Sequence, residues 1–262
     1  MIRLAHVAGL ACLFVLPTLG SAQEWGTIKG QITFGGPVPE KKELNLGANP
    51  DKLVCEKNGP LQDETWVVNP KNKGLKHAFV WLAVKDAKAK GKDAKLPIHP
   101  NLKEVKNIDV QMDQPACAFI PHAIAIREGQ NLIAKNGSTI GHNFKYTGNP
   151  NVPENAGNNF LLPPGAQKKI EGLVADRLPI AVECNIHPWM KGWVRVFDHP
   201  YFAVTDEDGK FEIKDAPAGD FRILVWHGSG GWLGGAAGRN GKEVTIKSGA
   251  NDLGTTEYPP PQ

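Results

Sequence analysis

Three things are scarce in this 262-residue sequence: cysteine, excess charge of either sign, and long runs of apolar residues. The 30 basic residues nearly balance the 27 acidic ones, which leaves a formal net charge of +3 and no electrostatic footprint of a nucleic-acid-binding protein. After residue 22 no stretch approaches the roughly 20 apolar residues that a membrane-spanning helix needs. We therefore expect neither nucleic acid as a partner nor a transmembrane anchor in the mature chain.

The first 22 residues have the pattern of a signal peptide. Arg3 supplies a positively charged n-region, residues 4–19 supply a short apolar run, and residues 20–22 (GSA) supply the small side chains of a cleavage site. A membrane anchor is the alternative interpretation, but the run is too short to span a bilayer. We expect cleavage after Ala22 and a periplasmic or secreted protein.

The number of cysteines in the exported chain is odd. Cys12 leaves with the leader, so that Cys55, Cys117 and Cys184 remain. An unpaired thiol in an oxidising compartment needs a reason to be there. The simplest partition is a disulfide between Cys55 and Cys117, with Cys184 reserved for a metal. From chain entropy, a bridge closing a loop of that length would contribute about 4 kcal/mol.

Helical periodicity is also scarce, and short strands punctuated by turns dominate. The 29 Gly and 21 Pro separate runs of β-branched and aromatic residues, a pattern that favours an all-β sandwich or barrel. A lysine-rich run at 85–95 is typical of a solvated linker, the alternative being a docking patch for an acidic partner. No element is assigned to most of the turn-rich segment 151–173. The predicted strands are 27–34, 78–84, 122–127, 131–135, 180–183, 193–197, 211–213, 221–226 and 244–246.

The segment VECNIHPWM at 182–190 carries a thiol, an imidazole and a thioether at three-residue steps. These are Cys184, His187 and Met190, all soft or borderline metal ligands. A further ligand must come from elsewhere, and His142 in the segment STIGHNF is the candidate. A strand carrying His142 beside the strand ending at Cys184 would gather two imidazoles and one thiolate around a point, with Met190 along the axis. A trigonal His₂Cys set with a weak thioether is the ligand set of a mononuclear type 1 (blue) copper site.

Other metal centres fit these residues less well. Structural zinc prefers four Cys or His ligands, and an iron–sulfur cluster needs about four thiolates where only one cysteine is spare. A dinuclear copper centre would need a second cysteine in the loop. A multicopper oxidase would place histidines beside the cysteine, whereas Cys184 is flanked by Glu183 and Asn185. Ordinary packing of single His and Met residues is the remaining alternative.

The segments GHNF at 141–144 and CNIHPWM at 184–190 resemble the two ligand segments of the cupredoxins, over residues 115–197. The short C-x-x-H-x-x-M loop is most similar to that of amicyanin, since plastocyanin has a longer one. The resemblance implies a Greek-key β-sandwich in which His142, Cys184 and His187 are the equatorial copper ligands and Met190 is the axial one. It also implies that Asn143 ties the two ligand loops together by hydrogen bonds.

The outer parts of the chain resemble the carboxypeptidase regulatory-like (transthyretin-like) β-sandwich. The matching segments are GTIKGQITF at 26–34, TDEDGKFEI at 205–213 and PAGDFRILVW at 217–226. Asp208 and Gly209 offer the positive φ of a tight hairpin. We expect a signal peptide at 1–22, the two parts of this sandwich at 23–105 and 199–262, and the cupredoxin domain at 106–198. Whether that domain is inserted or merely adjacent is left open, and separate hairpins on one barrel are the alternative.

The resemblance implies one-electron transfer between redox partner proteins, and the whole chain resembles exported proteins labelled methylamine-utilisation-like. Electrons would pass through the edge of His187, expected to be the ligand nearest the surface, with Pro188 and Trp189 forming an apolar docking rim. No general base, nucleophile paired with a histidine, or phosphate loop is evident, so we expect no enzymatic activity. Alternatives are a copper-binding module for storage, delivery or sensing, and an adhesive sandwich with a vestigial site.

Two further histidines are assigned structural roles. His122 is expected to be a structural or hydrogen-bonded residue beside the disulfide, the alternative being a second metal ligand. His199 is expected to make an interdomain polar contact together with Asp198, the alternative being a role in tuning the metal site.

Overall fold

The computed structural model describes residues 23–85 and 95–260. The predicted signal peptide and nearly all of the lysine-rich run at 85–95 lie outside the described residues. Within them, no helix has both the length and the apolar character needed to cross a membrane.

The described residues form an all-β protein, as the turn-rich sequence predicted. The only α-helix among them, α1, is a single turn at Lys52–Cys55, and three short 3₁₀ helices lie at Pro100–Leu102, Pro153–Asn155 and Gly235–Asn240. The strands are β1 (Trp25–Phe34), β2 (Phe79–Val84), β3 (Asp109–Met112), β4 (Ala123–Arg127), β5 (Asn131–Lys135), β6 (His142–Thr147), β7 (Asn158–Leu162), β8 (Gln167–Ile170), β9 (Ile180–Glu183), β10 (Lys191–Phe197), β11 (Phe202–Val204), β12 (Lys210–Pro217), β13 (Gly219–His227), β14 (Gly231–Trp232), β15 (Lys242–Ile246) and β16 (Gly249–Tyr258).

Strands β3 to β10 form the central sandwich. Its larger sheet has the order β4-β10-β9-β6-β7, and its smaller sheet has the order β3-β5-β8. Side chains of both sheets meet in one core, in which Leu132 of β5 contacts a cluster that includes Ile126, Phe144 and Val182 of the larger sheet. Buried residues alternate with more exposed ones along β5, as expected for a strand with one face on a core.

The strands before and after this segment form the outer sandwich. One sheet has the order β12-β1-β16, and the other has the order β11-β2-β13-β14, with β15 also paired to β13. The core between them includes Ile28, Leu82, Phe221 and Tyr258. Because β1 pairs with β12 and β16, the chain leaves the outer sandwich after β2 and returns to it at β11. The transthyretin-like resemblance stays a prediction.

The turn at Asp208 and Gly209 differs in part from the expected hairpin. Gly209 has the positive φ that was predicted (72°), and a Cβ there would lie 2.1 Å from the carbonyl oxygen of Ile32. However, the turn joins β11 to β12, which belong to different sheets. The prediction of a hairpin is therefore wrong, because β12 pairs with β1 rather than with β11, the strand before the turn.

A third apolar cluster joins the two sandwiches. Trp226 of β13 packs edge-to-face on Trp193 of β10, with ring centroids 5.0 Å apart. The buried guanidinium of Arg195 lies 4.0 Å from the ring centroid of Trp81, a cation–π contact across the interface. Burial lowers the pKa of Arg195 to about 9, and the aromatic faces partly compensate for the lost water.

Two strands lie in the segment to which no element was assigned. β7 and β8 fall within residues 151–173, and each is an edge strand of its sheet. Most of their residues are exposed, so their sequences lack the apolar alternation by which strands are recognised. Their β structure comes from pairing with β6 and β5 rather than from local pattern.

Between β1 and β2, residues 42–63 form an excursion that we call the covering loop. Its ends are held together by backbone hydrogen bonds from Leu44 N–H to the Leu61 carbonyl and from Asp63 N–H to the Lys42 carbonyl, each 2.8 Å. Leu46 is buried in the core of the central sandwich, and so is Cys55, the last residue of α1. A loop of the outer region thus packs against the central sandwich.

Candidate metal centre

Strand pairing brings the predicted ligands together at one end of the inner strands of the larger central sheet. β6 begins at His142 and runs antiparallel to β9, with Lys145 opposite Glu183. Cys184 follows β9 directly and Met190 directly precedes β10, so that the ligand motif is the connection between two paired strands. Because antiparallel strands place the start of one beside the end of the other, His142 lies next to this loop.

Three of the four predicted ligands converge in a closed interior site. The Nδ1 atoms of His142 and His187 lie 2.9 Å apart, and Cys184 Sγ lies 3.8 Å from Nδ1 of His187. All three donor atoms lie within 4.8 Å of one another. The two imidazoles are fully buried, and Cys184 is a free, buried cysteine. Met190 is buried in the same core.

The buried imidazole of His142 has one nitrogen without a hydrogen-bond partner in the part of the chain that the structure describes. Burial, followed by repulsion from His187, lowers the pKa of His142 to about 4, which favours the neutral ring that binds metals. A neutral ring has only one proton for its two nitrogens, and Nε2 of His142 has no hydrogen-bond partner among the described residues. Whichever nitrogen holds that proton, one buried nitrogen is unpaired. A soft cation between the two Nδ1 atoms and the sulfur fits this donor set.

Backbone hydrogen bonds fix the shape of the ligand loop. Met190 N–H donates to the His187 carbonyl (2.9 Å), and Cys184 N–H donates to the Met190 carbonyl (3.3 Å). The main-chain N–H of Asn143 donates to Cys184 Sγ (3.3 Å), whereas its side-chain amide donates to Asn159 (3.1 Å). The contact from Asn143 to the ligand loop is thus made by the main chain, which any residue except proline provides.

The expectation that His187 is the ligand nearest the surface is wrong. Its side chain is 0% exposed, because Trp189 packs against its ring (centroids 5.1 Å apart) and the covering loop lies over its outer edge. Asp51 of that loop places Oδ2 3.0 Å from Nε2 of His187. Asp51 was missed by sequence reasoning, since nothing in its neighbourhood marks it except Cys55 a helical turn later.

The covering loop is bonded covalently to the central sandwich. Cys55 and Cys117 form a disulfide, which leaves Cys184 free. Both sulfurs of the bridge also come close to His187, but they are bonded to each other and do not offer thiolates. Trp189 donates its indole N–H to the Cys117 carbonyl (3.2 Å) and is half-buried, so of the predicted rim only Pro188 is exposed.

The remaining predicted histidines lie outside this centre. Nδ1 of His122 is 3.4 Å from a carboxylate oxygen of Glu64, and its ring is 4.9 Å from that of His77. Within the described ranges, these side chains do not form a three-ligand grouping of the kind seen around His187. His199 is buried, accepts a hydrogen bond from Tyr201 N–H (3.1 Å) and has a pKa lowered by burial to about 4.

No protein-family model matches the chain, and no curated protein matches it. Among solved structures, the chain is similar to a reduced mutant of amicyanin at 19% identity, over 36% of this chain and 87% of that one, with a TM-score of 0.30. It is also similar to a purple cupredoxin from Nitrosopumilus maritimus at 20% identity, over 34% of this chain and 100% of that one, with a TM-score of 0.28. Scores this low say nothing of function, which is inferred from the metal centre alone.

Proposed function

We propose that the protein is an exported type 1 copper protein that carries single electrons between redox partner proteins. The observation behind this proposal is a free thiol beside two facing imidazole nitrogens, all three buried and within 4.8 Å of one another. When bound, copper would supply a one-electron Cu(II)/Cu(I) couple at this position. Thiolate suits Cu(I) and imidazole suits Cu(II), so a mixed set serves both oxidation states.

In this proposal the chain's own residues hold the ion and exclude water. His142, Cys184 and His187 would be the equatorial ligands, and Met190 would be the weak axial one. β6 carries His142, and the paired strands β9 and β10 flank the short loop that carries Cys184, His187 and Met190. Because paired strands and the backbone hydrogen bonds of this loop would hold the donors, little rearrangement would accompany the gain or loss of one electron.

Electrons would enter and leave through the exposed part of the ligand loop. Asn185, Ile186 and Pro188 are exposed, and each is a direct neighbour in sequence of Cys184 or His187. Ile186 is 40% exposed, which gives this segment the apolar character of a docking contact. We place the electron-exchange surface here rather than at the edge of His187, which the covering loop occupies.

The complete burial of the ligands also favours a second candidate function, copper storage, delivery or sensing. Release of an ion from beneath the covering loop would require that loop to move. A storage protein should exchange electrons slowly with small redox reagents and pass copper to an acceptor. An electron carrier should exchange electrons rapidly with the same reagents and retain its copper.

The visible spectrum of the copper-loaded, exported protein tests the proposal. Thiolate-to-copper charge transfer should make the oxidised protein intensely blue, and reduction should bleach it. Metal analysis must show one copper per chain. A protein that binds copper stoichiometrically, retains a free Cys184 and stays colourless would contradict thiolate ligation.

The axial assignment of Met190 is tested separately. Met190→Leu should retain copper and the blue colour, while the reduction potential should rise because a weak donor to Cu(II) is lost. A colourless Met190→Leu protein would show that the thioether is needed to build the centre at all.

A further inference from the structure

The contact between Asp51 and His187 determines which nitrogen of the imidazole is available to a metal. The distance from Asp51 Oδ2 to Nε2 of His187 is 3.0 Å. An ionised carboxylate only accepts hydrogen bonds, so Nε2 must be the donor and carry the proton. Nδ1 of the neutral ring then keeps its lone pair, and this is the atom that faces Cys184 Sγ and Nδ1 of His142.

Asp51 is held in place for this contact. It occupies the N-cap position of α1, where an aspartate commonly bonds the first backbone N–H groups of a helix, yet its side chain makes no such bond. Its own N–H donates to the side chain of Asn49 (2.9 Å), and its carbonyl accepts from Val54 and Cys55 N–H. Cys55 is in turn fixed to the central sandwich through its disulfide with Cys117.

We propose that Asp51 is a positioning residue of the metal centre. Its carboxylate fixes the tautomer and the orientation of His187, and its negative charge favours Cu(II) over Cu(I). Carboxylates that accept from the second nitrogen of a ligand histidine raise the basicity of that ligand. This inference rests on the proposed copper function. It adds that the outer region, through the covering loop, sets a property of a centre whose ligands all belong to the central sandwich.

The first test compares two charge-neutralising variants of the intact, copper-loaded protein. Asp51→Asn keeps the size of the side chain and removes its charge. Glu56→Gln makes the same charge change one turn away, where Glu56 contacts only Lys52 at 3.9 Å among the charged groups described. Loss of such a partner typically lowers metal affinity about 10- to 100-fold.

Asp51→Asn should weaken Cu(II) binding about tenfold more than Cu(I) binding. The reduction potential should therefore rise by about 59 mV. Glu56→Gln should leave the potential close to that of the unaltered protein. Equal shifts in the two variants would overturn the proposal, because the effect would then be one of net charge alone. Circular dichroism spectra that match the spectrum of the unaltered protein show that both variants are folded, and mass spectrometry shows that their disulfide is intact.

The second test needs no copper. Nitrogen-15 NMR of the imidazole rings in the metal-free protein should show His187 protonated at Nε2, with a slowly exchanging proton that Asp51→Ala loses. A tautomer that is unchanged in Asp51→Ala would refute the positioning role. If the unaltered protein never turns blue, the proposed function fails, whereas this measurement still decides whether Asp51 orients His187.

Discussion

The central and outer sandwiches both bury histidines, but only the central one aims them at a thiol. In the outer sandwich, His227 stacks on Trp66 with centroids 4.7 Å apart, and its Nδ1 accepts from Ser229 N–H (3.2 Å). In the central sandwich, the Nδ1 atoms of His142 and His187 face each other, and both lie close to Sγ of Cys184. Burial alone therefore does not identify a metal ligand. The informative feature is the convergence of two buried imidazole nitrogens and a free thiol on one point.

The outer region nevertheless reaches the metal centre through the covering loop. That loop supplies Asp51 and half of the disulfide, while the four predicted ligands lie on a strand and a loop of the central sandwich. In the proposed function, the central sandwich would hold the ion and the covering loop would shield it. Four predictions test this division, and they are arranged by the size of the expected effect.

The largest effect is expected on the visible absorption, when Cys184 of the central sandwich is replaced and a substitution of His227 in the outer sandwich serves as the comparison. Cys184→Ala should abolish the blue absorption completely, because the other two cysteines of the described residues, Cys55 and Cys117, are bonded to each other. His227→Gln should leave that absorption intact and lower the free energy of unfolding by about 1–3 kcal/mol. Visible spectra and denaturant titrations of both variants are the measurements. A blue Cys184→Ala protein would remove the distinction between the sandwiches.

The second prediction concerns the bridge between the covering loop and the central sandwich. Cys55 and Cys117 are 62 residues apart, and replacing both by serine should lower the free energy of unfolding by about 4 kcal/mol. The released loop should also let a chelator remove copper faster, because His187 loses its cover. Unchanged copper removal with lowered stability would mean that Leu46 and its neighbours hold the loop without the disulfide.

The third prediction uses the buried histidine of the outer sandwich as a pH probe. Burial lowers the pKa of His227 from 6.5 to about 4, so the unfolded chain takes up a proton in this range that the folded chain refuses. Stability is therefore complete above pH 6.5 and declines as the pH falls towards 4, by about 2 kcal/mol at pH 5. Denaturation midpoints at pH 7.5 and 5 should show a smaller decline in His227→Gln. Equal declines in the two proteins would exclude His227 as the source.

The smallest effect is expected at Asn143. Its side chain bonds to Asn159, and the contact with Cys184 Sγ is made by its backbone N–H. Asn143→Ala should therefore leave the visible spectrum unchanged and cost no more than about 1 kcal/mol of stability, with Asn159→Ala behaving alike. A marked spectral change in Asn143→Ala alone would assign the side chain to the ligand loop, as the cupredoxin resemblance implied.

The sequence predicted those strands whose own residues show a pattern of apolar side chains. The strands with alternating or continuous apolar residues overlap β1, β2, β4, β5, β9, β10, β12, β13 and β15. The edge strands β7 and β8 were missed because their residues are mostly exposed, and pairing partners rather than composition make them strands. The three-residue spacing of Cys184, His187 and Met190 was visible because a short loop keeps such residues together. His142 was predicted from the need for a further ligand and from the resemblance of the segment GHNF to a cupredoxin ligand segment.

The sequence by itself determined the all-β class, the odd thiol and the chemistry of the donor set, because these depend on residue type and short spacing. Only the tertiary structure decided that β1 joins β12 and β16 around the central sandwich, and that His187 is buried. It also decided that Asp51 faces His187. These features join residues more than a hundred positions apart, and no local pattern specifies which loop packs over which edge. Packing of the whole chain selects that arrangement.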